Sequence, residues 1–318
     1  MKKILRILLY LVGMVFLFLV LGLLYIQVKG IPKYDTVNID YHAEPSPERL
    51  ERGKVLVGSL CIGCHINREV GNLSGGLMPD APKEFGTIYS QNITGDLNYG
   101  IGAWSDAEIM YLLRTGIKRN GSYAPPYMAK LPNLSDEDMA SVIVFLRSDD
   151  PWVAASPIPD KPCEPSFLTK ALSNTLFKPF PLPEGPIPMP DTSNTIEWGR
   201  YMAFNMECFS CHSADFKSND FLNPELSAGY FGGGNKPLNL DGEVMYTPNL
   251  SPDNETGIGK WTKQQFINAV KSGKVEGQEA LRYPMNPYVR LSDKEVGAIY
   301  DYLQTVPAIS NKVTRTGL

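Results

Sequence analysis

"CIGCH" at residues 61–65 and "CFSCH" at residues 208–212 are two copies of one pentapeptide, Cys-x-x-Cys-His. The 318 residues hold five cysteines and three histidines, and these two copies take up four of the cysteines and two of the histidines. The surrounding text repeats as well. "NITGDLNYGIGAWSDAEIMYLLRTG" from Asn92 returns as "NLSPDNETGIGKWTKQQFINAVKSG" from Asn249. This offset of 157 puts Trp104 on Trp261, Met128 on Met285 and Ser135-Asp136 on Ser292-Asp293. The pentapeptides themselves lie 147 apart, so ten extra residues separate motif from Asn in the second half, around "GYFGGGNKP". Self-similarity of this kind means one structural unit used twice, and two copies are too few for a solenoid.

Each unit reads as helical. "SPERLERGKVLVG" opens on Ser46 as cap and Pro47 as first helical residue. "SDAE" at 105 and "TKQQ" at 262 are capping boxes, with a hydroxyl three residues ahead of Glu or Gln. Both helices run to a glycine, Gly116 and Gly273. "SDED" at 135 and "SDKE" at 292 open a last helix, in which Met139, Val142, Ile143, Phe145 and Leu146 recur at helical spacing. Strand-like alternation is scarce, so the expected fold class is all-α.

Cys-x-x-Cys-His is the attachment signature of a c-type haem. The two thiols add across two vinyl groups as thioethers, and the His that follows is held over the iron as its proximal ligand. Cys61, Cys64 and His65 would hold one haem; Cys208, Cys211 and His212 would hold a second. A redox dithiol expects a thioredoxin-like βαβ setting, which neither copy has. A four-ligand zinc site needs another Cys or His pair, and each half brings only its own three ligands.

Only His42 remains for a sixth ligand, so bis-histidine ligation of both irons within this chain is impossible. Methionine is the usual alternative, and it raises the reduction potential. Met128 in "SYAPPYMAKLP" aligns with Met285 in "LRYPMNPYVRL", each in a proline-bearing loop before the last helix. These are the candidate distal ligands; the other reading is core packing by two adaptable side chains. Trp104 and Trp261 are candidates for an indole N–H contact to a haem propionate, or for core aromatics at a helix start. Asn92 and Asn249 brace the pocket loop or make a turn. "GGGN" at 232 lacks the Gly-Lys-Ser/Thr of a phosphate loop and reads as a turn. Cys163 reads as a free thiol and His42 as a surface residue.

The order Cys-x-x-Cys-His, "NIT…GIGxW", then "PPYM" or "YPM" resembles the class I cytochrome c domain. More closely it resembles the multi-haem cytochrome c subunits of membrane-bound alcohol, aldehyde and sugar-acid dehydrogenases, over nearly everything from 31 to 312. The resemblance implies two tandem class I cytochrome c-like domains with two covalently bound c-type haems, and Met128 and Met285 as distal ligands. Those subunits usually have three haem domains, and an N-terminal anchor departs from their usual arrangement.

That anchor is expected from Ile7 to Ile26, twenty residues without a charge. About 20 residues span a hydrocarbon layer, whereas a signal peptide's apolar core is shorter and ends at a small-residue cleavage site. Lys2, Lys3 and Arg6 before it favour a cytoplasmic N-terminus. The expected location is the bacterial inner membrane, single-pass, with the haem domains on the periplasmic side. The net charge of −4 includes those three cations, which leaves −7 for the rest and argues against a nucleic-acid partner. Residues 151–190 carry eleven prolines and read as an extended, stiff connector rather than a regular helix or central strand. The expected division is thus an anchor at 1–28, a first domain at 29–150, a proline-rich linker at 151–190 and a second domain at 191–318. The expected function is electron relay from a donor such as a dehydrogenase to an acceptor such as a terminal oxidase or soluble cytochrome, with membrane lipid around the anchor. The rivals are a diheme peroxidase, which needs an open iron and for which His42 is the spare ligand, and a haem-based sensor.

Overall fold

The computed structural model describes residues 2–78, 80–275, 277 and 280–314; the first residue of the expected anchor and the end of the expected second domain, 315–318, lie outside them. Helix α1 (Lys2–Lys29) is apolar on every side and buries none of its side chains. By length and composition it can cross a membrane. The first half then runs α2 (Pro47–Leu60), α3 (Ile62–His65), strand β1 (Gly86–Thr87), α4 (Asp106–Thr115) and α5 (Asp136–Leu146). Strand β2 (Glu164–Pro165) and α6 (Phe167–Thr175) follow. The second half runs α7 (Thr195–Asn205), α8 (Cys208–His212), α9 (Lys263–Ser272) and α10 (Asp293–Leu303).

Local chemistry sets these boundaries. Ser46 Oγ accepts from the Arg49 amide at the start of α2. Full capping boxes open α4 through Ser105 and Glu108, α9 through Thr262 and Gln265, and α10 through Ser292 and Glu295. Gly116 and Gly273 take left-handed conformations that end α4 and α9. Helix α5 differs. Ser135 accepts from the Asp138 amide, but the Asp138 carboxylate is bonded elsewhere.

The core is made where α2 crosses α5 and where α7 crosses α10. Each crossing rests on a glycine. A Cβ on Gly53 would fall 2.0 Å from the Ser141 carbonyl oxygen, and one on Gly199 would fall 1.9 Å from that of Ala298. Ser141 and Ala298 are repeat equivalents, so the two crossings match. Gly53 and Gly199 are 146 apart, however, and the motifs are 147 apart. One extra residue therefore lies between glycine and motif in the second half, and Glu207, just before Cys208, takes a left-handed conformation at φ +53°.

The halves meet around Arg52. Its guanidinium is bidentate to Asp138 at 2.7 and 2.9 Å and also bonds Glu295, the repeat equivalent of Asp138. It lies 5.6 Å from the ring of Trp198, which occupies the position in α7 equivalent to Arg52 in α2. Tyr201 adds a 2.7 Å bond to Asp138. Burial works against the Arg52 charge, but the two carboxylates outweigh it and raise its pKa.

The proline-rich stretch is not extended throughout. Its proline-free window folds as α6, capped by Ser166. Glu164 and Pro165 pair antiparallel with Thr87 and Gly86. The Ile187 carbonyl accepts from the Asp136 amide at the start of α5. Proline density ruled out helix on average, yet nine residues without proline were enough for one.

Candidate functional site

Both pentapeptides fold as a short helical turn, α3 and α8. In each, the histidine is held from behind by a backbone carbonyl. His65 Nδ1 lies 2.8 Å from the Gln91 oxygen, and His212 Nδ1 lies 2.9 Å from the Pro248 oxygen. A carbonyl only accepts, so Nδ1 carries the hydrogen and Nε2 keeps its lone pair free. Gln91 and Pro248 are repeat equivalents. The carbonyls of His65 and His212 in turn accept from the amides of Gly75 and Gly233. Both glycines have positive φ, at +79° and +69°, and a Cβ on either would strike the 90–91 or 248–249 backbone within 3 Å. Burial lowers the pKa of both histidines and keeps them neutral, the state that can ligate a metal.

The thiols are equally telling. Burial pushes Cys61 and Cys208 up to about 12, and Cys64 and Cys211 up to about 11. A redox dithiol needs a lowered pKa, so this setting disfavours that chemistry. The four sulfurs are all unbridged.

A cavity of about 430 Å³ opens over the second motif, lined by Cys208, Cys211 and His212 together with Met285. This is the size range of cofactor sites, roughly 300–1,000 Å³. Phe266, Val270, Ile299 and Leu303 supply apolar wall. Gly58, Ser59, Ile62 and Gly63 of the first half line its edge, so the two motifs are neighbours. A Cβ on Gly63 would lie 3.9 Å from Asn286 Nδ2, beside Met285. Met128 occupies the matching turn in the first half: its amide bonds the Pro125 carbonyl as that of Met285 bonds Arg282. Met128 packs half-buried against the core.

Other expected site residues fall elsewhere. Trp261 is not among the residues lining the cavity, and its carbonyl accepts from the Tyr300 hydroxyl. The Trp104 ring faces the Arg119 guanidinium at 5.8 Å. Asn92 and Asn249 both make a turn and brace the loop: each Oδ1 accepts from the backbone amide two residues on, while the side-chain amide groups bond the carbonyls of Ser156 and Ile158 and of Ile309 respectively. His42 is 68% exposed and contacts Asp106. Cys163 bonds the Tyr89 backbone.

The sequence pattern gave no sign of several residues here. Met245 lines the same cavity as Met285. Lys130, two residues past Met128, is buried, donates to the Pro125 carbonyl at 2.9 Å, and is pulled by burial down to about 7. Glu207 is pushed by burial up to about 7, with Lys130 pulling the other way. Its Oε1 has no hydrogen-bond partner among the described residues.

Residues 199–307, which span the second motif and Met285, match the cytochrome c family. The chain is 30% identical to the fructose dehydrogenase cytochrome subunit of Gluconobacter japonicus, over 83% of this chain and 55% of that one. It is 28% identical to the cytochrome c subunit of the quinone-type alcohol dehydrogenase of Gluconacetobacter polyoxogenes, over 78% and 54%. It is a cytochrome c resembling those subunits. The cytochrome spans about half the length of these two relatives. It is also 27% identical to a diheme cytochrome c-type protein of Cereibacter sphaeroides, over 78% of this chain and 82% of that one. A cytochrome c carries covalently bound haem. The residues of the second site fit that group: two sulfurs, a neutral imidazole with Nε2 free, and an apolar cavity with the thioethers of Met206, Met245 and Met285 on its wall.

Proposed function

We propose that this cytochrome is a membrane-anchored diheme electron relay, with class I cytochrome c-like units at 29–150 and 191–318 joined through 151–190. The observation that carries the reading is the duplicated histidine support: in both motifs Nδ1–H is held by the equivalent backbone carbonyl, Gln91 or Pro248. Bound there, haem iron cycles between ferrous and ferric and so takes and gives single electrons.

The chain's residues do the rest. Cys61, Cys64, Cys208 and Cys211 would tether the haems, and His65, His212, Met128 and Met285 would supply the side-chain ligands to the irons. Met245 is the wall rather than the ligand, because its repeat equivalent is Ile88, a buried aliphatic side chain with nothing to coordinate. Apolar walls keep water away and favour the less charged reduced state. The shared cavity edge brings the second motif against the first and supports passage of electrons between the halves. The dehydrogenase subunits it resembles support a dehydrogenase as donor, with a terminal oxidase or soluble cytochrome as acceptor. Helix α1 supports anchoring in the bacterial inner membrane, and the cations before it support a periplasmic position for both units.

The test is haem stoichiometry by pyridine haemochrome, with acid–acetone extraction. Two haems per chain that stay with the polypeptide are expected, and Met285→Ala and Met128→Ala should each remove one haem's share of the weak far-red band of Met-ligated oxidised haem, the double variant losing it altogether. One haem per chain removes the relay. An unchanged band in both variants removes the methionine ligands.

A further inference from the structure

Helix α6 is inside out. Its buried residues are Thr169 and Ser173, both polar, whereas Phe167, Leu168 and Leu176 are 40%, 44% and 69% exposed. Leu168, Leu172 and Leu176 recur at every fourth position and form one stripe, with Phe167 and Ala171 along its flank. A helix serving only the core of a water-soluble unit would present the opposite face.

Its polar back explains its placement. Thr169 Oγ1 donates to the Phe85 carbonyl at 2.8 Å. Lys170 Nζ donates to Gln27 Oε1, and Asn174 Nδ2 donates to the Gly30 carbonyl at 2.8 Å. Gln27 is in the last turn of α1 and Gly30 directly follows it. These bonds tie α6 to the end of the apolar helix and turn the leucine stripe away from the protein.

We propose that α6 lies in the headgroup layer of the bilayer that α1 crosses, with Phe167, Leu168, Leu172 and Leu176 facing the acyl chains. This rests on α1 being an anchor. If α1 spans the bilayer, its last turn is at the surface, and a helix bonded to that turn is at the same depth. An interfacial helix buries its apolar face about 5–10 Å into the headgroup boundary and carries lysines on the other side. Lys29 at the end of α1, with Lys170 and the exposed Lys178 of α6 and its exit, supply cations for anionic headgroups. The consequence is orientation. A single helix leaves its cargo free to swivel, whereas a second contact presents one fixed face of the haem units to partners in the membrane.

The test uses the full chain with Cys163→Ser, one copy per nanodisc of mixed anionic and zwitterionic phospholipid. Single cysteines at Leu168→Cys, Leu176→Cys, Val15→Cys in mid-α1 and Asp241→Cys in an exposed loop carry a benzophenone. After irradiation, mass spectrometry reads lipid adducts on each peptide. Adducts at Leu168→Cys and Leu176→Cys should approach the Val15→Cys yield and exceed Asp241→Cys by at least about tenfold. Adducts at Val15→Cys but not on α6 overturn the proposal and leave the anchor standing. No adduct at Val15→Cys overturns both. One copy per disc excludes a second chain as the occupant.

Discussion

The two halves obey the same local rules and differ where they touch each other. In both, a serine- or threonine-capped helix ends on a left-handed glycine, a helix crosses its partner over a glycine, and a backbone carbonyl fixes the histidine tautomer. At the contact between halves the equivalence breaks. Arg52 faces Trp198, its own counterpart, and binds Asp138 and Glu295, which are counterparts of each other. A residue that meets its own equivalent lies near the axis relating two copies, where an isologous contact forms. Two arginines there would repel; arginine on one side and tryptophan on the other lets one cation serve both acids. The same asymmetry appears at the motifs. The second half carries one extra residue before its motif, where Glu207 takes a left-handed conformation, and the charge of the buried Lys130 of the first half acts on the Glu207 carboxyl. Duplication explains the similar parts, and contact between unlike copies explains the rest.

The strongest way to break this comparison is Arg52→Met. It strands Asp138, which is fully buried, and Glu295 without their shared cation. Removing one partner of such a pair costs about 3–5 kcal/mol. Denaturant unfolding should lose that much stability, and hydrogen exchange should show the halves opening separately. A single cooperative transition at unchanged stability would mean that Arg52 does not couple them.

Next in size is the glycine pair. Gly53→Ala and Gly199→Ala each force helices apart, and each should cost about 3 kcal/mol. Equal losses, localised by hydrogen exchange to α2/α5 in one variant and α7/α10 in the other, would establish the crossings as equivalent. A loss in only one would break the equivalence.

The smallest effect separates the halves by pH. Asp106 starts α4, while its counterpart at the start of α9 is Lys263. Burial works against the Asp106 charge, but the Ala43 amide and Arg147 outweigh it and hold the carboxyl below its ordinary value. A depressed carboxyl contributes stability above its unfolded pKa, and that contribution is lost as pH falls through the lower folded value. Asp106→Asn should cost about 2 kcal/mol at neutral pH and make acid unfolding of the first half shallower. Lys263→Asn should leave the acid limb unchanged. Matching acid limbs for Asp106→Asn and the parent would refute the assignment.

Much of this was legible beforehand because caps, left-handed glycines and helical spacing act within four residues of chain. Other features were not. A glycine inside a helix reads as a weakness, so nothing in the sequence marks Gly53 and Gly199 as crossing points, where an added Cβ would fall 2.0 and 1.9 Å from the partner backbone. The carbonyls of Gln91 and Pro248 have no side-chain signature at all. Met245 gave no repeat signal because its counterpart is Ile88. The averaged proline content of 151–190 hid the nine-residue window of α6. Trp261 keeps its repeat position yet is not among the residues lining the cavity.

By itself, the amino-acid sequence determined the duplication, the helical class, the apolar first helix, and the paired Cys-x-x-Cys-His motifs. Those properties depend on residue identity and short spacing. Only the tertiary structure decided that one motif lies against the edge of the other's cavity, that a single arginine bridges equivalent acids, and that α6 shows its leucines to the outside. Each of these depends on which surfaces meet across long separations in the chain, where burial and pairing outweigh local preference.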